Sequence, residues 1–207
     1  MKASFNPSLY LVTDSTMVSI TELPTIVEKC VLGGVTMVQL REKTASTRAF
    51  VSIAFQLKEI LAKYHVPLII NDRIDVALAI DADGIHIGQD DMPYHIARRI
   101  LGPDKIIGLS VESYKQVEEA NLLDVDYIGI SPVFNTPTKT DTKTTFGIEG
   151  VEKIVAMSKH RTVAIGGIHL DNARPIIKAG ANGVAVVSAL MKATDPKKEA
   201  QKFKEIL

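Results

Sequence analysis

The residues best suited to chemistry in this chain sit at the polar ends of short apolar runs. In "MVQLREK", Gln39, Arg41 and Lys43 alternate with Val38, Leu40 and Glu42. The two-residue period of a strand puts the first three on one face. A guanidinium fork and an ammonium on that face suit a diphosphate, and a strand end with solvated charges is the competing reading. Asp72 in "NDR" and Asp91 in "GQDD" follow two further apolar runs. Each alone reads as a helix N-cap, because "NDRIDVAL" and "DDMPYHIA" look like helix starts. At the ends of neighbouring strands the two carboxylates could instead share one Mg²⁺, which takes one or two carboxylates, several waters and phosphate oxygens. Asn71, on the opposite face from Asp72, could meet a base edge or hold a carboxylate.

Anion chemistry recurs toward the C-terminus. "IGGI" and "VVSA" each close an apolar run. Gly166 or Gly167 would let backbone N–H groups approach a phosphate, and Ser188 could add a hydroxyl; a tight Gly-Gly turn is the alternative. Ser110 ends "GLS" and could donate to an anion. His86, inside "GIHIG", reads first as a hydrogen-bonded core residue. The run "NTPTKTDTKTT" after "YIGISPVF" is either a solvated linker or a lid over something rich in oxygen and negative charge. No serine nucleophile elbow and no Cys/His zinc spacing is present.

The elements that must position these residues repeat along the chain. Eight β-branched runs occur at 9–14, 35–42, 67–71, 84–88, 105–111, 127–133, 162–167 and 183–189. Their spacing of roughly 25 residues suits strand-helix units. The segments between them carry helical periodicity, clearest in "TRAFVSIAFQLKEILAKY", where Phe50, Ile53, Leu57 and Leu61 share a face. Gly33, Gly34 and Gly180 read as helix stops. Eight such units in 207 residues predict one (β/α)₈ barrel domain over 1–207. A doubly wound sheet would usually carry a glycine-rich turn after its first strand, where this chain has "VTDST". In a barrel the polar strand ends gather at one mouth, and that concentration points to an enzyme rather than a scaffold.

Composition narrows the partners. Hydrophobic residues make up 46%, enough for one full core, and 24 basic residues balance 24 acidic ones. The balance favours small-molecule substrates, with no nucleic acid and no membrane as partner; self-association into a homo-oligomer is left open. The single cysteine, Cys30, excludes a disulfide framework and reads as a small buried hydrophobe. With no apolar run of membrane-spanning length, a soluble cytoplasmic protein is expected.

"QLREK", "INDR…DADGIHIGQDD", "GLS", "GISPVFNTPTKTDT", "AIGGI" and "AVVSAL" together, from Leu9 to about Leu190, resemble the thiamine phosphate synthase family. The resemblance implies a (β/α)₈ barrel that uses Mg²⁺ to join a hydroxymethylpyrimidine diphosphate to a thiazole phosphate, releasing pyrophosphate. It implies a pyrimidine diphosphate site from Gln39, Leu40, Arg41, Glu42 and Lys43 with Asn71, Ser110 and Lys139. Asp72 and Asp91 would be the metal ligands. Thr136, Pro137, Thr138, Gly167, Val187 and Ser188 would form the thiazole phosphate pocket. Arg41, Lys43, Ser110 and Lys139 would carry the catalysis, and His86 also matches. A thiazole tautomerase of the same barrel family, or a non-catalytic phosphate-metabolite binder, would have no use for the complete set of cations and carboxylates.

Overall fold

A computed structural model describes residues 5–136 and 145–207. Eight parallel strands close into a barrel in chain order, with β1 hydrogen-bonded to both β2 and β8. The strands are β1 Leu9–Val12, β2 Met37–Leu40, β3 Leu68–Asn71, β4 Gly84–Ile87, β5 Ile106–Val111, β6 Tyr127–Ile130, β7 Arg161–Ile165 and β8 Gly183–Val186. Between them run α1 Leu23–Gly33, α2 Thr47–Ala62, α3 Ile74–Ala79, α4 Tyr94–Leu101, α5 Tyr114–Ala120, α6 Gly147–Met157 and α7 Leu170–Lys178. After β8 come a four-residue helix, α8 Ser188–Met191, and a longer one, α9 Pro196–Ile206, which packs against α1 and closes the outer ring. The fold is the (β/α)₈ barrel that the repeat predicts.

Two apolar layers account for the uninterrupted apolar character of the strands, which are buried on both faces. Inside the barrel lie Tyr10, Val12, Met37, Ile69, Ile106, Tyr127, Val163 and Ala185. Outside it, alternate strand residues such as Leu40, Ile70 and Val184 meet the helices, including Phe50, Ile53, Leu57 and Leu61 of α2. Cys30 belongs to this outer layer and is fully buried.

The strand starts are tied by a device repeated at every second strand. Thr36, Asp83, Asp126 and Asn182 stand just before β2, β4, β6 and β8. Their side-chain oxygens accept from the amides of Leu9, Leu68, Ile107 and Thr162 on the preceding strands. Each accepts from an amide in the first two residues of β1, β3, β5 or β7, and so satisfies it. Helix starts use serine or aspartate where geometry allows: Ser46, Ser113 and Asp195 accept from amides in the first turns of α2, α5 and α9. With the closed end fixed in this way, the C-terminal strand ends are left for chemistry.

Candidate active site

A cavity of about 460 Å³ opens at the C-terminal ends of the strands. Gln39, Arg41 and Lys43 all line it, as strand alternation requires, although β2 itself ends at Leu40. The Thr13 hydroxyl accepts from the Arg41 amide at 3.0 Å and carries the stripe beyond the strand. The Arg41 guanidinium stands 3.7 Å from the buried Asp14 carboxylate, and the Lys43 ammonium pairs with Asp72. Leu40 is fully buried between barrel and helices. Glu42 is buried as well, accepting from the Ser15 hydroxyl at 2.8 Å and from the amides of Thr44 and Ala45. Neither side chain belongs to the lining, so a contact from Leu40 or Glu42 to a ligand there would come from the main chain.

Asp72 and Asp91 meet at the rim of this cavity, and neither caps a helix. Asp72 has φ +60° and its amide donates to the His86 carbonyl, while α3 begins two residues later with Arg73 in the cap position. Pro93 holds the cap position of α4, and Asp91 Oδ2 instead accepts from the Gly88 amide at 2.7 Å. Burial, followed by the neighbouring Asp72, holds the Asp91 carboxyl above the ordinary aspartate range. Two adjacent carboxylates in a partly desolvated rim repel each other, and a cation relieves both costs. The Lys43 ammonium already lies against one of them. This donor set fits a hard divalent ion that keeps several oxygens from water or substrate. Asp90 and Glu112 also line the cavity, but among the described residues no three side chains gather closely enough to hold one ion.

The cavity floor is a hydrogen-bonded series across five strands. Gln39 Nε2 donates to Tyr10 Oη at 2.8 Å, and Tyr10 Oη lies 2.9 Å from Tyr127 Oη. Tyr127 Oη lies 2.9 Å from His86 Nδ1, and His86 Nε2 lies 2.8 Å from Ser110 Oγ. His86 is hydrogen-bonded as expected, but it is half-buried and lines the cavity rather than lying in the core. Tyr10 and Tyr127 are the polar residues that sequence reasoning missed, since "LYLVTD" and "YIGISPV" look like plain strand bodies. Their signal lies in parity: Tyr10 and Val12 share a face, and Val12 also lines the mouth. Asn71, buried at the end of β3, completes this side of the lining.

A second cavity of about 100 Å³ adjoins the first, sharing Val12, Arg41, Ser131, Ile165 and Ala185 with it. Thr136, Gly166, Gly167, Val187 and Ser188 line its far side. Gly166 has φ +104° and Gly167 φ +65°, conformations that favour glycine. A Cβ on Gly166 would stand 2.7 Å from that of Pro132, and one on Gly167 2.7 Å from the Asn135 carbonyl oxygen. The run "VVSA", read as a strand end, turns at Val187 into α8, whose first residue is Ser188. The first amides of a helix have no partner within it. Pro137, Thr138 and Lys139 lie outside the described residues.

A mouth of this kind on this fold marks a (β/α)₈-barrel enzyme acting on small molecules. Comparison with known proteins narrows the class. Residues 9–190 match the family model described as thiamine monophosphate synthase, and the chain belongs to that family. It is 52% identical over 189 residues to the thiamine-phosphate synthase of Vibrio campbellii, covering 91% of this chain and 92% of the relative. It is 48% identical to that of Ruminiclostridium cellulolyticum, covering 100% and 98%. Among solved structures, the thiamine phosphate pyrophosphorylase of Pyrococcus furiosus superposes with a TM-score of 0.88 at 40% identity, covering 96% and 94%. A 3-hexulose-6-phosphate synthase, at 16% identity and TM-score 0.75, shares the fold alone. Among the described residues no helix is long and apolar enough to cross a membrane.

Proposed function

We propose that this chain is a thiamine phosphate synthase. It condenses 4-amino-2-methyl-5-(diphosphooxymethyl)pyrimidine with a thiazole-ethyl phosphate to give thiamine phosphate and pyrophosphate. The observation that carries this reading is the adjacency of two unlike anion sites in one mouth. Arg41, Lys43 and the Asp72–Asp91 pair stand on one side, and the glycine-lined recess with Ser188 stands on the other. A diphosphate on the first and a monophosphate on the second would bring the pyrimidine methylene and the thiazole nitrogen together between them.

The reaction needs little covalent help. The bond from the pyrimidine methylene to the diphosphate oxygen breaks with its electron pair leaving on oxygen, and the electron-rich aminopyrimidine stabilises the cation. The thiazole nitrogen lone pair then forms the new C–N bond. No strong general base is required. Arg41 and Lys43 face the leaving diphosphate, where preorganised positive charge is worth most. Ser110 adds a hydroxyl to the same side. Gln39 and Asn71 hold the pyrimidine edge, and the walls exclude water that would otherwise trap the cation. The Thr136 side of the recess, with the main chain of Gly167, Val187 and Ser188, seats the thiazole phosphate and so orients its nitrogen. Asp72 and Asp91 would hold Mg²⁺, whose charge helps neutralise the departing diphosphate.

The test is a set of omission reactions followed by mass spectrometry. Both substrates with Mg²⁺ should give thiamine phosphate, and leaving out either substrate or adding excess chelator should abolish it. Isomerisation of a thiazole with no consumption of the diphosphate would refute the reading in favour of a tautomerase.

A further inference from the structure

The series from Gln39 to Ser110 has a direction, and that direction is set at its buried end. Gln39 Nε2 donates to Tyr10 Oη. Among the described residues the other partner of Tyr10 Oη is Tyr127 Oη. Tyr10 is fully enclosed, so its own hydroxyl hydrogen needs an acceptor, and the Tyr127 oxygen supplies it. Tyr127, accepting from Tyr10, turns its hydrogen to His86 Nδ1 at 2.9 Å. An Nδ1 that accepts leaves the ring proton on Nε2, which then donates to Ser110 Oγ at 2.8 Å. Running the series backwards would give Tyr10 Oη two donors and leave its own hydrogen buried without an acceptor. Burial keeps both phenols protonated throughout the ordinary pH range.

We propose that His86 is a positioning residue, fixed as the Nε2-protonated tautomer by Tyr127, and that it thereby makes Ser110 an obligate hydrogen-bond donor to the leaving diphosphate. A serine hydroxyl alone can donate or accept. With one lone pair occupied by His86 Nε2–H, its hydrogen points to the cavity, where an anion accepts it. The barrel is built around the two rings that transmit this order. Gly108 and Gly129 sit opposite His86 and Ser110 in the strand register. A Cβ on Gly108 would run into the Tyr127 ring, and one on Gly129 would stand 3.1 Å from His86 Cε1. The identity of the anion rests on the proposed function; the tautomer does not.

Two measurements separate these statements. Long-range ¹H–¹⁵N spectra of histidine-labelled protein, with His86 assigned from the difference against His86→Gln, report which ring nitrogen carries the proton. The expected result is a protonated Nε2 and an accepting Nδ1 in the free enzyme. A protonated Nδ1 overturns the proposal, whatever reaction the enzyme catalyses. In steady-state kinetics Ser110→Ala should lower kcat about 10²-fold, as for loss of one donor to a developing anion. Tyr127→Phe, which removes the donor to Nδ1 and keeps the ring, should lower kcat about tenfold with the thiazole phosphate KM unchanged. The two losses should overlap in the double variant, because both act through one hydroxyl. Tyr10→Phe, which removes the donor that turns the Tyr127 hydrogen toward Nδ1, should lower kcat in the same sense and provides the test if Tyr127→Phe folds poorly. Fully multiplicative losses would overturn the coupling. A wild-type enzyme that makes no thiamine phosphate while Nε2 is protonated would overturn the function and the named ligand, leaving the tautomer intact.

Discussion

Asp91→Asn separates a metal ligand from a structural carboxylate. Asparagine keeps the oxygen that accepts from the Gly88 amide at 2.7 Å and removes the charge beside Asp72. One unit charge 4 Å from another is worth about 4 kcal/mol at an effective dielectric near 20. Exposure at the rim and replacement of the lost ligand by water leave about 3 kcal/mol of that, or roughly 10²-fold in affinity. The half-saturating Mg²⁺ concentration should therefore rise about 10²-fold. Turnover at a concentration that saturates the wild type should fall by a similar factor and recover in part as Mg²⁺ is raised. Without metal the variant should melt no lower than the wild type, because one of two repelling carboxylates is gone. A rise of about 1–3 °C matches a relief below about 1 kcal/mol. Added Mg²⁺ should stabilise the wild type clearly and the variant little. Calorimetric melting with and without Mg²⁺, beside initial rates against Mg²⁺, reads all of this. An unchanged Mg²⁺ requirement, or a metal-free variant that melts several degrees lower, would refute the assignment and return Asp91 to a loop-tying role.

The other predictions address the two anion sites and the core. Arg41→Ala should weaken pyrimidine diphosphate about 10²-fold by titration calorimetry and thiazole phosphate less, although Arg41 borders both cavities; equal losses would mean the sites are mapped wrongly. Ser188→Glu should lower thiazole phosphate affinity by more than about 10²-fold with the melting temperature little changed, since the side chain is exposed and a carboxylate there opposes the phosphate; unchanged affinity would move that site elsewhere. Stability should fall as pH rises above about 9. Burial lifts the Cys30 thiol from 9.0 to about 12 and raises both floor tyrosines, so the unfolded chain sheds protons that the folded one keeps. Urea unfolding at about pH 8 and pH 10 checks the sign, and equal stabilities would contradict it.

Much of this architecture was legible because a closed parallel barrel leaves strands apolar on both faces and concentrates polarity at their ends. Seven of the eight strands lie inside the runs read from sequence, each shorter by one to four residues, and β7 starts one residue earlier than its run, at Arg161. Alternation alone placed Gln39, Arg41 and Lys43 together, and it also turned Leu40 and Glu42 away. What composition could not supply was non-local. Local pattern made Asp72 and Asp91 look like helix caps, and only the left-handed turn at Asp72 and Pro93 at the start of α4 show otherwise. The four-residue α8 is too short for periodicity to reveal and looked like the tail of β8. Tyr10 and Tyr127 stand 117 residues apart, and their 2.9 Å contact exists only once β1 and β6 face each other across the barrel. Strand parity with Val12 is the one local hint for Tyr10, and the pairing of the two phenols has no local signal.

The most direct test of the site is a crystal structure of the enzyme with thiamine phosphate, pyrophosphate and Mn²⁺ in place of Mg²⁺. An anomalous metal peak should lie between Asp72 and Asp91, with pyrophosphate oxygens on the metal, Arg41, Lys43 and Ser110. The phosphate of thiamine phosphate should rest on the main chain at Gly167 and Ser188. Metal bound away from that carboxylate pair, or the two phosphate groups seated in exchanged positions, would contradict the arrangement proposed for this mouth.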